Sequence, residues 1–266
     1  MTAHLPRKRF GQNFLHDQGV IHDILTAIRP RTHDALVEIG PGLAALTEPL
    51  LHYVQTLHAI EIDRDIVQYL VNRFKTDHHH QLIVHQADAL HYDFAQLKAR
   101  IAPQKQLRIV GNLPYNISTA LLFHLAQFYQ SIVDMHFMLQ KEVVDRMVAH
   151  PNTRDYGRLS VMLQYRFSMD KVLEVPPTAF YPVPKVNSAL VRIHPYTTPP
   201  YIAHDEIAFA QLVKNAFSQR RKTLRNNLRT LVNEAQFTAA NIDPSRRPET
   251  LQLEEFVRLS NMIYTQ

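Results

Sequence analysis

The chain has 266 residues, 45% of them hydrophobic, and it contains no cysteine. This length and hydrophobic fraction suit a large domain with a smaller one and exclude wholesale disorder. The lack of cysteine excludes disulfides and thiolate metal sites and fits a cytoplasmic protein, while a formal net charge of +5 and a pI near 9.4 are compatible with a polyanionic partner.

The N-terminal segment joins a basic triplet, Arg7, Lys8 and Arg9, to an aromatic stretch that contains Asn13 and Phe14. We interpret it as a flap whose basic residues meet phosphate while Asn13 and Phe14 close over a ligand. The alternative is a loose tail anchored by its phenylalanines. The segment lacks the apolar core of a signal peptide, and no stretch of the chain approaches the roughly 20 apolar residues that span a membrane. No membrane partner is expected.

Residues 19–29 carry apolar side chains at helical spacing, and a helix is predicted there. The apolar strand that follows ends in a turn with Gly40 and Gly42, where the missing side chains let the backbone approach a ligand closely. A helix predicted at 44–51 points its positive N-terminal end at the same place. Ala45 replaces the third glycine of a dinucleotide-binding turn, which weakens that assignment.

Acidic residues recur where the predicted strands end. Glu38 precedes the glycine turn, Glu61 lies near the end of a strand at 57–62, and Asp88 follows a strand at 81–85. Glu61 lies about 20 residues after the glycine turn, the offset expected of a carboxylate that binds ribose. Asp88 is a candidate acceptor for an adenine amino group; alone, it could equally cap a helix. Three acidic residues at three successive strand exits indicate a ligand site.

A polar loop, Gly111 to Tyr115, follows the apolar run 107–110 and precedes an apolar stretch with helical character. The side-chain carbonyl of Asn112 and the backbone carbonyl of Pro114 can both accept hydrogen bonds from one amino group. Tyr115 can stack on the ring that carries this group. The loop therefore predicts a clamp for the exocyclic amine of a nucleobase; the alternative is a proline turn with a buried tyrosine.

Repeated strand and helix patterns over residues 35–115 predict a doubly wound parallel α/β sheet. A loop braced by four prolines follows at 176–186, so that Phe180 is held in one place. We interpret Phe180 as a second stacking surface opposite Tyr115, with core packing as the alternative. The other elements predicted beyond the amine clamp are a strand at 134–139, a helix at 141–150, a further segment at 157–167, and a strand at 188–194.

A proline-rich linker at 195–201 precedes a smaller helical domain, so the predicted domains are 1–196 and 197–266. The apolar pattern predicts one helix over 207–232 and a last helix over 253–263. Positive charges recur along the first of these helices, and we interpret them as phosphate contacts. These charges belong to Lys214, Arg220, Arg221, Lys222, Arg225 and Arg229.

Ordered motifs along nearly the whole chain resemble those of the ribosomal RNA adenine dimethyltransferases, most closely the small-subunit (16S) type. A set of this length in this order is specific, although each motif alone is not. The motifs are Arg9-Phe-Gly-Gln-Asn-Phe-Leu15, Glu38-Ile-Gly-Pro-Gly-Leu43, Glu61-Ile-Asp63, Asp88-Ala, Gly111-Asn-Leu-Pro-Tyr115, Met138-Leu-Gln-Lys-Glu142, Phe180-x-Pro-x-Pro184 and Ala216-Phe-x-x-Arg-Arg-Lys222.

The resemblance implies a Rossmann-like sheet that binds S-adenosylmethionine as methyl donor, without a metal, and a helical C-terminal domain that contributes to rRNA binding. The implied substrate is two adjacent adenosines near the 3′ end of 16S rRNA, within the small (30S) subunit or its precursor, and we expect a monomer. Donor contacts would come from Asn13, Leu15, Gly40, Glu61, Asp88 and Asn112; catalysis from Asn112, Pro114, Tyr115 and Phe180; RNA contacts from Arg7, Lys8, Arg9, Arg221, Lys222 and Arg225.

One departure from the family pattern is Ala44, where relatives usually have glycine. A methyl group is tolerable there if the backbone angles are ordinary, and it could tighten the methionine end of the pocket. Three other functions stay open: methylation of large-subunit rRNA, a role as a ribosome assembly factor with catalysis secondary or lost, and a dehydrogenase that uses NAD. The last is disfavoured by Ala45.

Overall fold

The computed structural model describes residues 13–75 and 82–263. The chain forms two compact units: Met1–Val144 with Met169–Pro195, and Asp145–Ser168 with Tyr196–Gln266. The predicted first domain, residues 1–196, is wrong for Asp145–Ser168. This segment buries Tyr156, Val161 and Tyr165 in the same hydrophobic cluster as the C-terminal helices. In the described part of the chain, no helix has the length and apolar character needed to cross a membrane.

A seven-stranded mixed sheet forms the centre of the first unit. In spatial order the strands are β4 (Leu82–Gln86), β3 (Leu57–Glu61), β2 (Ala35–Ile39), β5 (Leu107–Asn112), β6 (Ile132–Gln140), β9 (Ser188–Pro195) and β7 (Phe167–Val175). The five neighbours from β4 through β6 are parallel, which confirms the parallel sheet predicted over residues 35–115. Beyond them β9 runs antiparallel to β6, and the outer strand β7 was not predicted.

The antiparallel strand has a consequence for the site. Because Ser188 pairs with Gln140, β9 begins at the edge of the sheet where the parallel strands end. The proline-braced loop before β9 is thereby brought to that edge. A separate two-stranded sheet, β1 (Phe14–Leu15) with β8 (Phe180–Tyr181), connects the N-terminal segment to this loop.

Helices of the first unit begin with aspartate caps in three cases. The side chains of Asp17, Asp63 and Asp93 each accept a backbone N–H from the first turn, which satisfies donors that the helix itself cannot. The helix predicted at 44–51 begins only at Thr47, because Ala44 has a left-handed backbone with φ of 73°. The helices are α1 (Gln18–Ile28), α2 (Thr47–Leu51), α3 (Arg64–Arg73), α4 (Phe94–Ile101) and α5 (Ser118–Ala126), and α6 (Lys141–Val148) begins in the first unit and ends in the second.

The second unit packs short helices around buried aromatic and aliphatic side chains, among them Phe209, Phe237 and Phe256. The single helix predicted over 207–232 is wrong. It stops at Ala216, since Phe217 leaves the helical conformation with ψ of 12°. The side-chain amide of Asn227 donates to the carbonyl oxygen of Ala216, one of those that a helix end leaves without intrahelical partners, and to that of Gln219. The helices are α7 (Arg158–Gln164), α8 (Glu206–Ala216), α9 (Leu224–Leu228), α10 (Glu234–Ala239) and α11 (Leu253–Ile263).

Candidate active site at the carboxyl edge of the sheet

A cavity opens where β2, β3 and β5 end, and it contains about 1180 Å³ of space that protein atoms do not fill, part of it open to solvent. In open α/β sheets this edge is where ligands bind. The structure brings all six residues predicted to contact the donor to the wall of this one cavity. They are Asn13, Leu15, Gly40, Glu61, Asp88 and Asn112.

The glycine turn forms one wall of the cavity. Gly40 and Gly42 have φ of 69° and 52°, a left-handed region that glycine enters without strain. A Cβ on Gly42 would lie 3.2 Å from the Phe14 ring, so the bare backbone lets β1 approach the turn. Ala44 is also left-handed, contrary to the ordinary angles considered for it. Its methyl group is buried in the core and does not line this cavity, so it does not tighten the pocket.

Glu61 ends β3 with a carboxylate that is 7% exposed. Burial raises its pKa, and a hydrogen bond from the backbone N–H of Asp63, 2.8 Å from Oε1, opposes this rise. This bond holds the carboxylate in one orientation at the cavity wall. A fixed carboxylate at this position can accept hydrogen bonds from ribose hydroxyls.

Asp88 lies in the turn after β4 rather than at a helix start. Its Oδ1 accepts the N–H of Leu90 at 2.9 Å, and its Oδ2 lies 3.0 Å from Nδ1 of His91. The alternative role as a helix cap is wrong, because Asp93 caps α4. Two carboxylate oxygens offer about four acceptor positions, so Asp88 keeps capacity for a ligand donor.

The end of β5 and the loop after it place Asn112, Pro114 and Tyr115 at the cavity. Asn112 Nδ2 donates to the backbone carbonyl of Asn13 at 3.0 Å, which orients the amide and leaves Oδ1 to accept. The Pro114 carbonyl accepts the N–H of Ile117 at 3.2 Å, and a carbonyl has a second lone pair for another donor. Both acceptors predicted for the amine clamp are therefore present.

Tyr115 is half-buried, and its hydroxyl lies 2.7 Å from Oγ of Ser188. Burial raises the pKa of Tyr115, with the Ser188 hydrogen bond opposing it, so the phenol is neutral at physiological pH. An uncharged aromatic ring at the cavity wall suits stacking on a flat base.

The structure does not support the predicted role of Phe180 as a stacking surface. Its side chain is 1% exposed and belongs to the hydrophobic core, and it does not line the cavity. The reason is the pairing of β1 with β8, which sets Phe180 opposite the buried Leu15 and sets the exposed Tyr181 opposite Phe14. Core packing, the alternative for Phe180, is what the structure shows.

Several residues that line the cavity were not among the predicted site residues. Ile62 directly follows Glu61 and is 49% exposed, which offers an apolar surface to a flat ring. The sequence placed Ile62 inside the strand predicted at 57–62, whereas β3 ends at Glu61. Leu43, Leu90 and Asn116 also line the cavity, but nothing in their own sequence context distinguishes them.

Glu38 lines the cavity as well, although it lies within β2 and is 1% exposed. The Thr47 hydroxyl donates to its Oε2 at 2.7 Å. Burial raises the pKa of Glu38 to about 7, which the Thr47 hydrogen bond opposes and the nearby Glu61 reinforces. This carboxyl is thus protonated in the folded protein at a pH where it is ionised in the unfolded chain.

We expect Glu38→Gln to stabilise the fold at pH 8 by up to about 3 kcal/mol and to leave it nearly unchanged at pH 5. Between the unfolded pKa of 4.5 and the folded value of about 7, only the native state holds the proton, so wild-type stability falls as pH rises. Urea unfolding of both proteins from pH 5 to 8 measures the difference.

Two buried histidines change the stability of the fold with pH in the opposite direction to Glu38, so the wild type must be compared with the variant. Burial lowers the pKa of both His58 and His136 to about 4, so their contribution to stability rises between pH 4 and 6.5. Both proteins share these histidines, and their effect cancels in the difference. Parallel stability curves for wild type and Glu38→Gln would contradict the raised pKa.

The basic residues predicted to bind RNA fall in three situations. Arg7, Lys8 and Arg9 lie outside the described residues. Arg221 and Lys222 are exposed in the turn between α8 and α9 of the second unit. Arg225, in α9, forms an ion pair with Glu234, with 2.8 Å between Nε of Arg225 and Oε1 of Glu234. Because the predicted helix is interrupted, these charges do not form one continuous stripe.

A sequence model of the family described as ribosomal RNA adenine dimethylase matches residues 3–265. The chain belongs to the ribosomal RNA adenine dimethylase family. This confirms the resemblance seen in the motifs. Among its relatives are two proteins named ribosomal RNA small subunit methyltransferase A. The one from Laribacter hongkongensis is 56% identical over 98% of this chain and 97% of the relative, and the one from Chromobacterium violaceum is 54% identical over 99% and 98%.

Solved structures share the fold of this family member. A dimethyladenosine transferase from Plasmodium falciparum superposes with a TM-score of 0.77 at 24% identity, covering 92% of this chain and 95% of that one. The 23S rRNA methyltransferase ErmE gives a TM-score of 0.70 at 24% identity, covering 94% and 99%. The predicted Rossmann-like methyltransferase fold is confirmed. Within residues 13–75 and 82–263, no three histidine or acidic side chains converge as metal ligands.

Proposed function

We propose that this family member dimethylates the N6 amino groups of two adjacent adenosines near the 3′ end of 16S rRNA, with S-adenosylmethionine as methyl donor. The observation that carries the proposal is one cavity that joins the amine clamp, Asn112, Pro114 and Tyr115, to the acidic residues Glu61 and Asp88. The family supports rRNA adenine as the acceptor. Relatives named small subunit methyltransferase A support the 16S molecule over the large-subunit alternative.

The cavity fits the proposed donor. Bound S-adenosylmethionine supplies an electrophilic methyl group on a sulfonium sulfur. Glu61 would accept the ribose hydroxyls and Asp88 the adenine amino group, while Ile62 offers its apolar surface to the adenine ring. Gly40, Asn13, Leu15 and Asn112 would contact the rest of the donor molecule. The fit rests on the buried, backbone-anchored carboxylate of Glu61 and on the left-handed glycine turn that keeps this wall free of side chains.

An adenine amino group is a weak nucleophile because its lone pair is delocalised into the ring. Asn112 Oδ1 and the Pro114 carbonyl would accept its two hydrogens, so that the nitrogen becomes more tetrahedral and its lone pair points into the cavity. No strong base is required, because a methylated amino cation loses its proton readily to water. Catalysis is then mainly positioning, which contributes roughly 7–11 kcal/mol in favourable cases.

The target base must leave its stack, at a cost of a few kcal/mol. Stacking on Tyr115 offsets this by about 1–3 kcal/mol. Because Phe180 is buried in the core, Tyr115 alone supplies the stacking surface in our mechanism. After the first transfer the amine retains one hydrogen, so one of the two acceptors is enough to align it for the second.

The deciding experiment incubates the protein with small subunits that lack the modification and with isotopically labelled donor. Mass spectrometry of the product nucleosides should show N6,N6-dimethyladenosine, mapped to two adjacent positions near the 3′ end of 16S rRNA. Label found only in large-subunit rRNA would refute the proposed substrate. Calorimetric titration with S-adenosylmethionine and with NAD separates the proposal from a dehydrogenase.

A second candidate function is assembly of the small subunit without a need for catalysis. Glu61→Ala tests it, because this change removes the proposed ribose contact and leaves the exposed basic residues in place. Sedimentation with immature subunits should persist in this variant if binding is separate from methyl transfer. We propose further that the substrate is 16S rRNA within the 30S subunit or its precursor, and that the protein acts as a monomer in the cytoplasm.

For RNA binding, we expect the double change Arg221→Ala and Lys222→Ala to weaken binding to small subunits more than Arg225→Ala does. Arg225 is already paired with Glu234, whereas no ion pair of Arg221 or Lys222 is found among the described residues. Each lost phosphate contact should lower the slope of log affinity against log salt concentration by about 0.7–0.9. Binding measured from 50 to 300 mM salt checks this, and equal effects of the two changes would contradict it.

A further inference from the structure

The hydrogen bond between Tyr115 and Ser188 joins the amine-clamping loop to a distant strand. The two hydroxyl oxygens lie 2.7 Å apart, and the residues are 73 positions apart in sequence. Ser188 is fully buried, and it starts β9 in register with Gln140 of β6. The sheet therefore fixes the position of Ser188 more firmly than the loop fixes that of Tyr115.

Two contacts together determine where the Tyr115 ring lies. Ser118 Oγ donates to the Tyr115 carbonyl at 3.1 Å and holds the backbone. The Ser188 contact holds the far end of the side chain, so both torsions of the ring are restricted. The ring lines the cavity, whereas Ser188 is not among the cavity-lining residues. Any influence of Ser188 on a bound base is therefore indirect, and Tyr115 is the cavity-lining residue that its hydroxyl contacts.

We propose that Ser188 is a positioning residue, which holds the Tyr115 ring in the orientation needed to stack on the target adenine. The inference rests on the proposed function and adds to it a residue that does not touch the substrate. A ring that is held before the base arrives loses less conformational freedom on binding. Ser188 should therefore act on the use of RNA and not on the binding of the donor.

A double-mutant cycle tests this role with wild type, Ser188→Ala, Tyr115→Phe and the double variant. Each single change removes the same hydrogen bond and should raise the KM for unmethylated small subunits by about three- to tenfold. The double variant should be no worse than either single one, because the second change has no bond left to remove. The dissociation constant for S-adenosylmethionine should be unchanged in all four.

Ser160→Ala provides the matched control. Ser160 is also a fully buried serine, in the second unit, and its hydroxyl donates to the carbonyl of Arg146. This change should lower the melting temperature without raising KM. A Ser188→Ala variant that behaves in the same way would show a purely structural role and overturn the proposal.

Other results of the double-mutant cycle also test the role of Ser188. Single effects that multiply in the double variant would show that Ser188 and Tyr115 act independently. If Ser188→Ala does not fold, Tyr115→Phe still keeps the ring and loses only the hydroxyl, and an unchanged KM in that variant overturns the proposal. A wild type inactive on small subunits refutes the proposed function itself; an active wild type with unaffected variants refutes only the role of Ser188.

Discussion

Asn112→Ala should lower kcat on small subunits by about 100- to 1000-fold, the loss seen when one pre-positioned hydrogen-bonding group is removed from a reacting centre. The side chain supplies one of the two acceptors that would align the target amine, and its Nδ2 is held 3.0 Å from the Asn13 carbonyl. Alanine removes both the acceptor and its anchor. Single-turnover kinetics at saturating donor isolates this loss from product release.

Donor affinity should change much less, by at most about tenfold, which is the net worth of a single hydrogen bond. Some loss is expected because Asn112 also lines the donor side of the cavity and fixes Asn13. The matched control is Asn116→Ala: Asn116 lies in the same loop and lines the same cavity, but its side chain is exposed. Near-normal turnover in Asn112→Ala would refute the clamp.

Much of this site was predictable from the sequence because its parts are local. A strand followed by glycines, an acidic residue at a strand end and an Asn-x-Pro-Tyr loop each need only a few neighbouring residues. Their meeting follows from one topological rule: the carboxyl ends of parallel strands share an edge. Glu61, Asp88 and Asn112 therefore reach one cavity although they are far apart in the chain.

The errors arise where tertiary contacts override local pattern. The helix predicted over 207–232 ends at Ala216, where the side chain of Asn227 satisfies the last carbonyl, a contact that no periodicity reveals. Edge strand β7 was missed because five of its nine residues are exposed, which leaves a weak apolar pattern. Phe180 and Tyr181 are adjacent in a strand, where a shift of one residue exchanges the buried and exposed faces, so only the pairing with β1 decides which ring is buried.

Gly111→Ala should have the largest effect on stability, lowering the free energy of unfolding by about 3 kcal/mol, at the upper end for an overpacked site. A Cβ at this position would lie 2.4 Å from the carbonyl oxygen of Ile39. No rotamer change can relieve this contact, because the obstructing atom belongs to the backbone of β2. Strands β2 and β5 must move apart just before Gly40 and Asn112.

The displacement falls at the cavity, so loss of stability and loss of function should occur together. We expect a fall of about 6–12 °C in melting temperature and a loss of donor binding measurable by calorimetry. Gly157→Ala is the control, since a Cβ there meets nothing within 4 Å and its φ of −169° suits any residue. In our mechanism Gly111 contacts no ligand directly. A variant that has the melting temperature of the wild type but loses donor binding would therefore contradict the steric account. Separation of the strands would then no longer explain why glycine precedes the amine clamp.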